Sequence, residues 1–151
     1  MEESNKASAR RYYDEVLVGG DISVLRELFV PGSLLAGANE GFVVTAHSAF
    51  SDIRVSVDDL VAEGDKVAAH ATFTAIHTGS LFGFPPTGKS VGMTLLALFT
   101  FEGGRIRTLV NVADMFGMLR GLGLIGPPQA TAQQDETTPS FGARQRPQSP
   151  A

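Results

Sequence analysis

The hydrophobic period of the chain changes near residue 53, and that change constrains the fold more than any other feature. Upstream, Tyr12, Tyr13, Val16 and Leu17, then Val24, Leu25, Leu28 and Phe29, fall at helical spacing. Downstream, Ile53, Val55 and Val57 alternate with polar residues. The alternation continues through 66–77 (KVAAHATFTAIH), 90–101 (SVGMTLLALFTF) and 105–113. A repeat of two places alternate side chains on opposite faces of a strand, so one sheet face is apolar and needs a cover. Glu63-Gly64-Asp65 and Glu102-Gly103-Gly104 are tight-turn signals that make neighbouring strands antiparallel. The order predicts an α+β domain: helices first, then an antiparallel meander that receives them on one face.

Residues 7–30 read as helix, stopped at Gly19-Gly20 and restarted by Asp21 as N-cap, before Pro31-Gly32 ends it. The segment SLLAGANEG (33–41) reads as loop-like, and 42–51 as a short third helix packing Phe42, Ala46 and Phe50. Residues 115–125 (MFGMLRGLGLI) read as a last helix weakened by three glycines. From Pro127 the composition turns to Pro, Gln, Thr and Ser, which cannot bury enough surface to offset ordering entropy. This predicts one folded domain at 1–126 and a disordered tail at 127–151.

At 151 residues and 43% hydrophobic, the chain has enough apolar material for one core. Its net charge of −4, with no Lys/Arg cluster, argues against nucleic acid. The absence of cysteine excludes disulfides, thiolate–metal sites and a Cys nucleophile, and suits a reducing cytoplasm, the expected location. MEESNKASARRYY reads as lacking a signal-peptide core, and no apolar run approaches a membrane span, so no membrane is expected.

Residues 83–90, GFPPTGKS, match the P-loop pattern G-x-x-x-x-G-K-[ST]. That motif needs a following helix to hold phosphates, and SVGMTLLALFTF reads as strand, so a long hairpin loop is expected instead. His47, His70 and His77 lack metal-pair spacing, and no metal is expected. His70 shares parity with Thr72 and Thr74, on the outer face. His77 ends the Ala69, Ala71, Phe73, Ala75 face; it reads as a turn stabiliser or as a catalytic group. Tyr12 and Tyr13 are consecutive, so one of them faces inward, and Tyr13 is the candidate for an interior hydroxyl; a rim position in water is the other reading. Asp114 stands just before the last helix, as N-cap or as general base. Asn111 lies in an apolar strand with Leu109 and Ala113 on its face, so a buried amide there needs a structural partner or a ligand.

The strings DIRVSVDDLVAEGDKVAAHATFTAIHTGSLFGFPPTGKSV and FTFEGGRIRTLVNVADMFGMLRGLG resemble the SnoaL-like polyketide cyclases, within the NTF2-like group. The likeness runs over most of residues 7–123. It rests mainly on the HTG…G-x-PPTGK loop and the D-x-x-G-x-L-x-x-LG ending. The resemblance implies an NTF2-like cone, a curved antiparallel sheet wrapped around the N-terminal helices with a deep apolar pocket. It further implies homodimers through the outer face, and ring closure of a polyketide by intramolecular aldol condensation without cofactor or metal. Departures stand where the aldol chemistry resides. The acid/base Asp position is Asn111, the histidine of the neighbouring strand is Ala97, and two positions often aromatic are Ala71 and Val110. The early loop, where many relatives carry His or Asp, reads Ser33-Leu34-Leu35.

With its face taken from the resemblance, the expected substrate-binding set is Ala71, Phe73, Met93, Leu95, Ala97, Phe99 and Leu109. Asn111, Asp114, Tyr13 and His77 are the catalytic candidates. Three functions are expected to share an apolar cavity. One is a cofactor-free cyclase folding an apolar polyketide or polyene for cycloaddition or conjugate addition, with Asn111 as hydrogen-bond donor. The others are a non-catalytic small-molecule binder, and an aldol-type cyclase using Asp114 or His77.

Overall fold

The structure is a computed structural model that describes residues 1–126. The expected tail at 127–151 lies outside the described residues. Helix α1 (Glu2–Arg11) runs directly into a π-helical segment (Tyr12–Val18), so the first helix starts five residues earlier than the period indicates. At the end of the wide turn the Gly19 N–H donates to the Asp14 carbonyl, five residues back, at 3.1 Å. A Cβ on Gly19 would stand 2.5 Å from the Glu15 carbonyl oxygen, which explains the glycine. Asp21 then caps α2 (Ile22–Leu28), its carboxylate accepting from the Ser23 and Val24 amides.

Helix α3 (Leu34–Ala49) overturns the loop-like reading of 33–41, which forms its first half. Two glycines and an asparagine give this stretch poor helix propensity, and a tertiary contact overrides it. Asn39 donates through Nδ2 to the Leu35 carbonyl and accepts the Tyr12 hydroxyl on Oδ1, both at 2.9 Å. Its side chain therefore supports the helix instead of competing with it.

Four antiparallel strands follow, β1 (Phe50–Glu63), β2 (Lys66–His77), β3 (Ser90–Glu102) and β4 (Arg105–Ala113), in that order across the sheet. Strand β1 begins before the clean alternation does. A register shift between Ser51 and Arg54, with Asp52 at φ 50°, breaks the period of two at its start. On β2 and β3 the expected face is buried: Val67, Ala69, Ala71, Phe73 and Ala75 opposite Phe99, Ala97, Leu95, Met93 and Val91. Small residues along β2 let the helical layer approach closely. With its helices packed on one face of a curved antiparallel sheet, the molecule has the α+β architecture of the NTF2-like cone.

Tyr12 and Tyr13 are both buried, which corrects the expectation that one of them faces inward. The segment is flanked on two sides: Tyr12 packs on Phe29 and Phe99 and reaches Asn39, while Tyr13 packs on Phe99. After α2 the chain docks on the free edge of β4, with the Val30 N–H donating to the Ile106 carbonyl at 3.0 Å. Helix α4 (Met115–Gly121) ends before the expected residue 125, because Gly123 at φ 74° reverses the backbone and the Leu124 N–H closes onto the Leu119 carbonyl. Among the described residues no helix is long and apolar enough to cross a membrane.

Two glycines test the packing of α3. A Cβ on Gly79 would collide with the Ser48 carbonyl oxygen at the end of α3, so Gly79→Ala should destabilise the fold by about 1–3 kcal/mol. Gly37 lies in α3 with open space around it, and Gly37→Ala should stabilise by about 0.5–1 kcal/mol. Urea unfolding of both variants at neutral pH measures these shifts; equal effects would contradict the packing described.

Candidate active site

Where Phe73 of β2 stands opposite Met93 of β3, the helical layer leaves a cavity of about 250 Å³. Its wall is built from Gly41, Phe42, Thr45 and Ala46 of α3, Phe50 at the start of β1, and Phe73 and Met93. Leu81 and Phe82 of the β2–β3 connection and Met115 and Met118 of α4 complete it. No wall residue has an ionisable side chain, and the Thr45 hydroxyl is the one polar side-chain group on it. Apart from Met1, every methionine of the chain stands on this wall. Thioethers and ring faces are polarisable and adapt to irregular apolar shapes.

Strand parity groups residues on one face but does not give the position along it. Of the expected substrate-binding residues, Phe73 and Met93 line the cavity. Ala71, Leu95, Ala97 and Phe99 lie further along the same face, inside the packed core; Phe99 touches both tyrosines with ring centroids 5.6 and 6.0 Å away. Leu109 is half-buried at the sheet edge. Phe42, Thr45, Leu81, Phe82, Met115 and Met118 belong to helices and a loop, and Phe50 to the irregular start of β1, whose approach to the cavity no local pattern encodes. The signal available for them was compositional: methionine spaced i, i+3 in the last helix.

The four catalytic candidates lie off this wall, in different environments. Asn111 pairs across the sheet with Ala97, so it faces the helical side, yet its side chain is exposed. This corrects the reading of a buried amide. β4 is an edge strand, and the docked segment after α2 reaches it at Ile106, not at Asn111. Asp114 is the N-cap of α4: its carboxylate accepts from the Gly117 N–H at 2.9 Å, and a Cβ on Gly117 would run into that carboxylate. Met115 and Met118 enter the cavity wall from the turn so fixed.

His77 is fully buried at the base of the β2–β3 connection. The Thr87 N–H donates to Nδ1 at 3.2 Å and the Thr87 hydroxyl lies 3.0 Å from the same atom. Nδ1 is thus the acceptor, which assigns the proton of the neutral ring to Nε2, and that N–H is buried with no partner. The ring sits 5.8 Å from Phe50, one layer behind the wall. The GFPPTGKS stretch forms part of this connection and runs into a strand at Ser90, without the helix a phosphate loop needs. Tyr13 carries a buried hydroxyl with no partner, and burial pushes its phenol up to about 12. Burial raises Tyr12 as well. Among the described residues no three His, Asp or Glu side chains converge.

The profile of the family described as "SnoaL-like polyketide cyclase" matches residues 7–122. No protein of curated function is significantly similar in sequence. Among solved structures, AclR of Streptomyces galilaeus superposes with a TM-score of 0.76 at 24% identity, over 85% of this chain and 87% of that one. TsrD of Streptomyces laurentii gives 0.73 at 22%, over 83% and 98%. IdmH of Streptomyces antibioticus, a candidate polyketide cyclase, gives 0.69 at 26%, over 79% and 98%.

The two tyrosines separate packing from chemistry. Tyr13→Phe removes an unpartnered buried hydroxyl and should stabilise the protein by about 1 kcal/mol, whereas Tyr12→Phe strands Asn39 and should cost about as much. The Tyr13 phenol ionises near 10.0 when unfolded and near 12 when folded, so its contribution is complete below pH 10 and falls as pH rises toward 12. Urea midpoints at pH 7, 10 and 11 should therefore decline less for Tyr13→Phe than for the parent. A destabilised Tyr13→Phe would show that the hydroxyl has a partner.

Proposed function

The chain belongs to the SnoaL-like polyketide cyclase family, and from that premise we propose a cofactor-free cyclase of natural-product biosynthesis. It folds an apolar polyketide or polyene for ring closure by cycloaddition or conjugate addition, in place of an Asp-based aldol condensation. The observation that carries this reading is the cavity wall, which offers shape, rings and thioethers but no group that exchanges a proton near neutrality. An aldol step needs a base to enolise the substrate, and Asn111 at the family's acid/base position cannot serve. Holding one reactive conformer of a flexible chain supplies rate through orientation alone. A hydrogen bond to a substrate carbonyl adds to it, from the Thr45 hydroxyl on the wall or from Asn111 at the exposed sheet edge.

An apolar wall without acid or base suits a carrier equally, so a non-catalytic binder is the second reading. We further propose pairing through the outer sheet face, where Val61, Leu96, Leu98, Val110 and Val112 are exposed.

The test is turnover of the metabolite that accumulates when the gene is deleted, followed by mass spectrometry with purified protein. The rate should stay flat between about pH 6 and 9, because no group titrating there lines the wall. Asn111→Leu and Thr45→Val should each lower turnover by roughly tenfold to a hundredfold if their donor polarises the carbonyl. Asp114→Asn keeps the cap and should leave turnover and thermal stability near the parent values. A bell-shaped pH profile together with an inactive, stable Asp114→Asn would replace this reading with the aldol one; binding without turnover would leave the carrier.

A further inference from the structure

Within the β2–β3 connection, Leu81 and Phe84 exchange both backbone hydrogen bonds, at 3.0 and 2.8 Å, and close a two-residue turn. Phe82 and Gly83 occupy its centre at φ 49° and 81°. Both positions demand the left-handed region, which Asn and Gly fill without difficulty and a bulky aromatic resists. Burial does not explain the phenylalanine either, because Phe82 is 66% exposed. Phe82 nevertheless lines the cavity, as does Phe42 of α3, itself 41% exposed. The base of the connection is fixed: the Thr78 and Gly79 amides donate to the Ala49 carbonyl, Gly88 to the His77 carbonyl, and Thr87 to the His77 ring. Leu81 is buried and anchors the turn from below. The chain thus holds a strained, exposed ring on a fixed mount at the mouth of an apolar cavity.

Cavity size says what that ring meets. Sites for drug-sized ligands occupy about 300–1,000 Å³, and this cavity holds about 250 Å³. A skeleton larger than that extends past the wall, whose partly exposed aromatic residues are Phe42 and Phe82. We propose that Phe82 is a specificity-determining residue. Its ring, with Phe42 on the same wall, clamps the protruding unsaturated segment of an apolar substrate and so selects for elongated, conjugated skeletons over short ones. This rests on the reading of the cavity as the ligand site.

Fluorescence titration with two probes tests it: 1,6-diphenylhexatriene, a long conjugated hydrocarbon, and 2-naphthol, which fits inside. Phe82→Ala should weaken diphenylhexatriene binding by about tenfold and leave 2-naphthol within about twofold. Phe82→Gly relieves the left-handed backbone; it should raise Tm by about 3 °C and lose the same diphenylhexatriene affinity, which separates the clamp from any folding defect. Unchanged diphenylhexatriene affinity, or equal losses for both probes, would overturn the clamp while leaving the cavity as the site. Failure of the parent protein to bind either probe would overturn the cavity reading itself, and the clamp with it.

Discussion

The packing of Tyr12 between Phe99 and Asn39 determines where the helical layer touches the sheet and where it leaves it. Its ring meets Phe99 at 5.6 Å, and its hydroxyl reaches across to α3. One side chain therefore holds the π-helical segment to the sheet and α3 to that segment. Aromatic pairs of this kind bury large areas and prefer the edge-on geometry seen here. With the Phe99 end of the sheet face filled by two tyrosines, the Phe73–Met93 end is left to α3, α4 and the β2–β3 connection. These meet less closely, and the gap between them is the cavity. A sheet packed to interior density along its whole length would have no room for a ligand.

Costs gather around that gap. His77 keeps a buried N–H without a partner, and Phe82 holds a left-handed backbone of order 1–2 kcal/mol above the right-handed region. Large apolar side chains stand in water at Phe42 and Phe82. Each departure would be relieved by a simple substitution, and all three lie on one connection and the helix facing it. Local preference and packing agree at the Asp21 cap and along the alternating strands, while the unpartnered hydroxyl of Tyr13 and the left-handed Asp52 lie away from the cavity wall. Local conflict of this kind on a cavity wall is in keeping with the proposed ligand site.

The sheet was legible because a period of two has one physical meaning: parity grouped Met93, Leu95, Ala97 and Phe99 on one face, and the resemblance identified that face as the inner one. Distance along that face was not legible. Whether Leu95 or Met93 meets a ligand depends on where α1 and α3 cover the strand, and contacts such as Tyr12 to Asn39, remote in sequence, decide it. The first half of α3 was misread for the same reason, since propensity describes an isolated segment and Asn39 is not isolated. Asn111 was assigned the correct face and the wrong burial, because a strand pattern cannot tell an edge strand from a central one. Both tyrosines are buried because the segment has neighbours on two sides, which a single amphipathic stripe does not reveal.

The proposed chemistry rests on how the last strand meets the last helix. Asp114 is tied to Gly117, and the glycine leaves room for that carboxylate, so this acid is engaged in shaping the cavity wall through Met115 and Met118. Asn111, one short step back along β4, offers an amide that donates and accepts but does not ionise near neutrality. Such a donor makes a hydrogen bond to a carbonyl without supplying a proton. A reaction that proceeds once its termini are brought together gains from that arrangement, and one that must first lose a proton from carbon does not. On the proposed reading, a soft wall of rings and thioethers is the complement such a reaction needs. When the transition state differs from the bound substrate mainly in shape, complementarity of shape is the stabilisation available.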